Sequence, residues 1–146
     1  MSAWKYYTWE RKEYLDMYNI SLISCETEKI LRKIKRHFKF KPQVKLFLKS
    51  RFDLNRGEAS YGNFKSVITI GYTSTLGVVI HEFAHLLANE QKRKSFHDKS
   101  FRKKHKSVVT YVRARNYFGL LKKVIEASCW DRCYGRWKSR ISYTWN

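Results

Sequence analysis

The chain has 146 residues, 43% hydrophobic and 16% aromatic, which suits one globular domain and leaves too little for two. Thirty-one Lys and Arg against twelve acids give a net charge of +19, which points to an anionic partner, most simply nucleic acid, rather than to a solvated face of mixed sign. Six Gly, one Pro and no repeat or biased tract exclude fibrous and disordered classes, and no run nears the roughly 18 apolar residues of a membrane span.

The charge is unevenly placed. Residues 31–60 carry ten bases against two acids and residues 91–120 ten against one, whereas residues 61–90 carry one against two. Two basic blocks therefore flank a nearly neutral centre. Residues 1–13 lack the apolar segment of a signal peptide, so the expected location is the cytoplasm, or a host's cytoplasm or nucleoid were the protein viral. Cys25, Cys129 and Cys133 make no disulfide framework, because one thiol is left over from any pairing, and the C-x3-C of Cys129 and Cys133 has no second pair to form a zinc ribbon.

In chain order, residues 4–18 are rich in Trp and Tyr and weakly helical, with no evident role. From Glu28 to Phe38, the residues Ile30, Leu31, Ile34 and Phe38 fall on one side at helical spacing, with Lys29, Arg32, Lys35, Arg36 and Lys39 on the other. Pro42 forbids continuation, and the alternation of Val44, Leu46 and Leu48 with Lys45, Phe47 and Lys49 reads as a strand. A loop with Asn55-Arg56-Gly57 as its turn signal leads to a second strand near Lys65–Tyr72. A helix over about Thr75 to Gln91 follows, with Thr73 or Ser74 as N-cap. On it Leu76, Val79, Ile80, Phe83, Leu86 and Leu87 share an arc of about 120°, while His81, Glu82, His85 and Asn89 share one of about 100°, nearly opposite. Asp98 suits the N-cap of another helix, about Lys99 to Asn116, with Phe101, Val108, Val109 and Val112 as its apolar face. A short helix over Leu120 to Ala127 and a weak alternation from Trp137 to Trp145 complete the chain. The aromatic residues interleaved with bases there (Trp130, Tyr134, Trp137, Tyr143, Trp145) read first as packing and second as a stacking platform for unpaired bases.

His81, Glu82 and His85 form an HExxH motif. Histidines at i and i+4 stand one turn apart on one face, so both can reach one metal ion at about 2.0–2.1 Å. The carboxylate beside the first histidine is placed to act as general base on water at the metal. A catalytic site needs a third protein ligand and an open position. A metzincin would have its third histidine at position 91, which is Gln91. His97, twelve residues after His85 and just before a helix N-cap, is the first choice; His105, on the inner face of the next helix, and Glu126 are the alternatives.

The run "HEFAHLLANEQKRKSFHDKSF", with "SVITIGYTSTLGVVI" before it, resembles the SprT-like (Spartan-type) zinc metallopeptidases. In that family a third histidine follows the HExxH helix by about a dozen residues, with an aromatic four positions on; here the matching residues are His81, Glu82, His85, His97 and Phe101. The resemblance covers roughly residues 58–105. It implies an α+β fold, a small minigluzincin-like zincin domain whose HExxH helix packs on a short sheet, one Zn2+ per chain, and proteolysis of DNA-bound or DNA-crosslinked proteins in DNA repair. Two features depart from the family. Asp98 stands where it usually has Gly, and the C-terminal four-cysteine zinc ribbon that bacterial and archaeal members often carry is missing, so DNA contact would fall to the domain's own basic surface.

The expectation is thus a single domain over residues 1–146, a monomeric metallopeptidase with His81, His85 and His97 as zinc ligands and Glu82 as base. Its partners would be a protein or peptide substrate and DNA, with no membrane. Candidate DNA contacts are Lys92, Arg93, Lys94, Arg102, Lys103 and Lys106 beside the third ligand, and Arg32, Lys35, Arg36 and Lys39 on the first basic helix. The alternatives are a basic nucleic-acid-binding protein with a structural or idle zinc site, and a peptidase with no nucleic-acid role.

Overall fold

The computed structural model describes residues 2–90, 97–115 and 143–145, the last three by their backbone. It is an α+β fold. In chain order it has α1 (Ala3–Glu13), α2 (Leu15–Tyr18), β1 (Ser21–Ile23), α3 (Ser24–His37), β2 (Gln43–Leu48), β3 (Gly57–Ser60), β4 (Lys65–Ile70), β5 (Thr73–Thr75), α4 (Leu76–Glu90), α5 (Lys99–Arg115) and β6 (Tyr143–Trp145). Among these no helix is long and apolar enough to cross a membrane.

α3 begins four residues earlier than the periodicity indicates, because Glu26 reaches back to accept from the Ile23 N–H at 3.2 Å. It ends before Pro42 exerts any effect. Lys39 takes a left-handed conformation (φ 53°), and the Phe40 N–H closes back on the Lys35 carbonyl at 3.1 Å, the Schellman arrangement that satisfies a helix's last carbonyls. Ile30, Leu31 and Ile34 are buried as expected, but Lys35 is only 8% exposed. Its place on a solvent face is therefore corrected: burial also pushes its ammonium below the usual lysine range.

β2 follows its alternation, with Val44, Leu46 and Leu48 buried and Gln43 and Phe47 exposed. It pairs parallel with β4, Val44 opposite Ser66 and Leu46 opposite Ile68, and antiparallel with β6. The sheet order is β3-β4-β2-β6, so β3 lies at one edge. β3 falls in the segment expected to be a loop. Gly-Glu-Ala-Ser has no β-branched or aromatic residue to announce a strand; its pairing with β4, Ala59 opposite Ile68, holds it extended. A separate antiparallel pair joins β1 to β5. Thr73 and Ser74 belong to that ladder, so the α4 cap falls one residue later, on Thr75, whose Oγ1 accepts from the Val78 N–H at 3.2 Å.

α4 is the centre of the core. Leu76, Val79, Ile80, Phe83 and Leu86 are fully buried against β3, β4, α2, α3 and α5. Part of its polar stripe is buried too: His81 is 3% and Glu82 7% exposed, because α1 lies across them, while His85 and Asn89 are half-buried. α1 presents Tyr6 and Glu10, four residues apart on one face. Tyr6 packs with Ala84 and Ala88 of α4 and Phe101 of α5, the two small alanines admitting a close approach. Cys25 is disulfide-bonded, against the expectation that the three cysteines make no disulfide framework; Cys129, Cys133, the expected helix over Leu120 to Ala127 and the residues Trp130, Tyr134 and Trp137 lie outside the described residues.

Phe83 is fully buried and edge-on to Phe40 at a 5.6 Å ring separation, while Phe64 is 90% exposed. Phe83→Ala is expected to lower unfolding free energy by about 3–5 kcal/mol in a denaturant titration, and Phe64→Ala to change it by less than about 0.5 kcal/mol. Equal effects would contradict this arrangement of the core.

Candidate metal centre

His81 and His85 leave α4 on the same side, and their Nε2 atoms stand 3.1 Å apart. The third histidine comes from the start of α5. Asp98 Oδ1 accepts from the Phe101 N–H at 2.9 Å and caps that helix, leaving His97 just outside it with φ at 54°. The left-handed region is uncommon for a residue with a side chain, although histidine enters it more readily than most. In this conformation the His97 ring lies against the HExxH pair, its Nε2 3.0 Å from that of His81. Aromatic neighbours hold the rings: Phe101 stacks on His85 at 4.2 Å, and Tyr6 lies nearly parallel to His97 at 4.9 Å and 12°.

Three ring nitrogens so close would repel one another if protonated. Burial, reinforced by neighbouring histidines, pushes His81 and His85 down to about 3, and burial lowers His97 as well. All three are thereby kept neutral near pH 7, the state in which an imidazole nitrogen can bind a metal. Nitrogens at about 2.0–2.1 Å from one tetrahedral ion stand roughly 3.3–3.4 Å apart, close to the separations here. His81, His85 and His97 could hold a metal ion.

Comparison of the chain with protein-family models, curated proteins and solved structures finds no match. The site must be read from its own chemistry.

A second group, Glu10, His81 and His105, also has metal-ligating atoms within reach of one another. It shares His81 with the first through the opposite ring nitrogen. His81 Nδ1 lies 2.8 and 3.0 Å from the two Glu10 oxygens, and His105 Nε2 lies 3.2 Å from Oε1. His105, an alternative third ligand in the sequence, is thus buried behind His81 and not beside His85. Glu126, the other alternative, lies outside the described residues.

Glu82 is held by α4 against the edge strand. Burial, with the charges of Glu10 and Glu58 adding to it, pushes its carboxyl up to about 8. A cation at the three histidines would act in the opposite direction. His81 and Glu82 open onto a cleft of about 570 Å³ bordered by Tyr7 and Arg11 of α1 and by Arg56 and Gly57 ahead of and within β3. Gly57 is needed for the approach: a Cβ there would stand 2.7 Å from Val78 Cγ1 and 2.8 Å from Glu82 Cγ.

The basic residues divide. Arg32, Arg36, Lys39, Arg102, Lys103 and Lys106 are exposed, Lys35 is buried, and Lys92, Arg93 and Lys94 lie outside the described residues. Arg32 bonds Glu28 at 2.9 Å on its own helix. His37, on the flank of α3, stacks on Tyr111 of α5 at 3.8 Å and so joins the two basic helices. The residues missed by sequence reasoning are those of α1. Tyr6, Glu10 and Tyr14 recur at four-residue spacing, a signal that hydropathy hides because the buried face is polar.

Gly57→Ala is expected to displace the Glu82 side chain while leaving all three histidines in place. Any metal content by elemental analysis should match the parent, and any turnover that depends on Glu82 should fall at least about tenfold, as for a misplaced catalytic group. Unchanged turnover would show that the Gly57–Glu82 contact is dispensable.

Proposed function

We propose that the chain is a zinc-dependent metallopeptidase acting on proteins held on DNA. The observation that carries the reading is the convergence of three neutral imidazole nitrogens beside a buried glutamate at the mouth of a cleft. Three histidines are a donor set that suits zinc, and three protein ligands leave a coordination position open. Zinc bound there would supply Lewis acidity and lower the pKa of water to about 7.

The chain's own residues do the rest. His81, His85 and His97 are the ligands, kept neutral by burial. Glu82, next to the first ligand but directed to the cleft, takes a proton from the attacking water and passes it to the leaving amine. The edge strand β3 lies against Glu82. Among the described residues no strand pairs with its outer side, where an extended peptide can add to the sheet by main-chain hydrogen bonds. These features also fit the small zincin domain that the sequence resemblance implies. The DNA element of the reading rests on charge: +19 overall, with Arg102, Lys103 and Lys106 exposed on the helix that begins beside His97.

Purified protein should hold about one zinc per chain, lost when His81, His85 or His97 is replaced singly by Ala, since a tight site of this kind needs three protein ligands. Glu82→Gln should keep the zinc and abolish peptide cleavage. Cleavage by Glu82→Gln at the parent rate would refute the mechanism; zinc without cleavage in the parent would leave an idle or structural site.

Lys and Arg that neutralise phosphates release counterions, so DNA affinity must fall steeply with salt. Reversing Arg102, Lys103 and Lys106 to Glu should weaken binding of a labelled oligonucleotide and reduce the log–log salt slope by up to about 2.7, roughly 0.9 per lost contact. Zinc content should not change. Equal affinities for parent and variant at two salt concentrations would remove DNA from the reading.

A further inference from the structure

We propose that Glu10 is the positioning residue of the metal centre: its buried carboxylate fixes His81 in the tautomer that turns the Nε2 lone pair toward His85 and His97. The inference rests on the reading of those histidines as metal ligands and adds to it a part for the first helix.

Glu10 is fully buried, and an ionised carboxylate only accepts. Its Oε1 receives the Tyr18 hydroxyl at 2.7 Å. His105 carries its proton on Nε2, facing Oε1 at 3.2 Å, because its Nδ1 accepts the Tyr6 hydroxyl at 2.6 Å. His81 Nδ1, 2.8 Å from Oε1 and 3.0 Å from Oε2, completes the set as a third donor. With the proton on Nδ1, His81 Nε2 is a bare lone pair at 3.0–3.1 Å from the other two Nε2 atoms. The other tautomer would set a lone pair against the carboxylate and drive a proton into the space the three nitrogens share. Both consequences are unfavourable, and together they decide the tautomer.

A histidine ligand that donates its second N–H to a carboxylate is oriented and made more basic by it. An ion held in addition by Glu10, His81 and His105 would require His81 to bind two metals through both nitrogens and so to lose both ring protons. The hydrogen-bonded arrangement needs no such loss. Tyr18 is itself fixed by packing: a Cβ on Gly77 of α4 would stand 2.6–2.7 Å from its ring, so the phenol lies flat on the helix with its hydroxyl on Glu10.

The test has two arms. In the first, nitrogen NMR of metal-free, 15N-histidine-labelled protein should give the Nδ1–H tautomer for His81 in the parent and a mixture in Glu10→Gln. An Nε2–H tautomer in the parent would overturn the proposal. In the second, zinc is titrated in competition with a chelator, with chemical unfolding of the metal-free proteins run alongside. Glu10→Gln, which keeps shape but not charge, should bind one zinc about 10–100-fold more weakly. Tyr18→Phe, which spares the carboxylate, should stay within a few-fold of the parent. A purely structural Glu10 would lower the unfolding midpoint and leave the affinity alone, and that result overturns the proposal. So does a second zinc equivalent removed by His105→Ala. A parent that binds no zinc would end the metallopeptidase reading, while the tautomer arm still decides the part played by Glu10.

Discussion

The burial of one carboxylate governs this fold. Glu10 is removed from water entirely and surrounded by three donors from three elements: Tyr18 of α2, His81 of α4 and His105 of α5. An uncompensated buried charge is costly, so none of these contacts is optional while the group is ionised. They fix α1 over the polar stripe of α4, and α1 in turn makes the histidines dry. Dryness lowers their proton affinity and leaves their nitrogens open to a metal. The same helix walls one side of the cleft through Tyr7 and Arg11. Packing, protonation and access to the site are thus consequences of one placement.

Much of this was legible beforehand because it follows periodicities. The 3.6-residue spacing of α3, α4 and α5 and the alternation in β2 located these elements to within a few residues, and Asp98 announced the α5 cap. The motif's spacing alone brought His81 and His85 together, and the cap just after His97 placed that residue where a turn could bring it back. Other features depend on tertiary contact and left no such trace. β3 has no strand propensity of its own and is extended because β4 offers it partners. Lys35 shares the periodicity of the basic stripe yet is covered. The part played by Glu10 depends on a hydrogen bond spanning 71 residues of sequence, which no local pattern can encode.

The charge has a structural side as well. Arg113 is drawn to Asp16 through two bonds of 2.7 and 2.9 Å, tying the far end of α5 to α2. The beginning of the same helix keeps its cations exposed. One helix therefore serves anchorage at one end and a cationic surface at the other. Such a surface raises encounter rates with polyanions but opposes compaction through self-repulsion. The neutral character of residues 61–90 keeps that repulsion away from α4 and its buried glutamate.

The distance along the chain between the parts of the centre has a consequence for its history. Tyr6 meets His105 across 99 residues and Glu10 meets His81 across 71. Contacts of such separation are closed late, because the loop entropy must be overcome before they can form. During synthesis α1 emerges first and waits, with a glutamate and two tyrosines facing water, until α5 has left the ribosome. Before that moment the two histidines of α4 have neither their third partner nor their dry cover. A nascent chain of this design carries no finished histidine cluster, and α1, made before α4 and α5, is the helix that closes it.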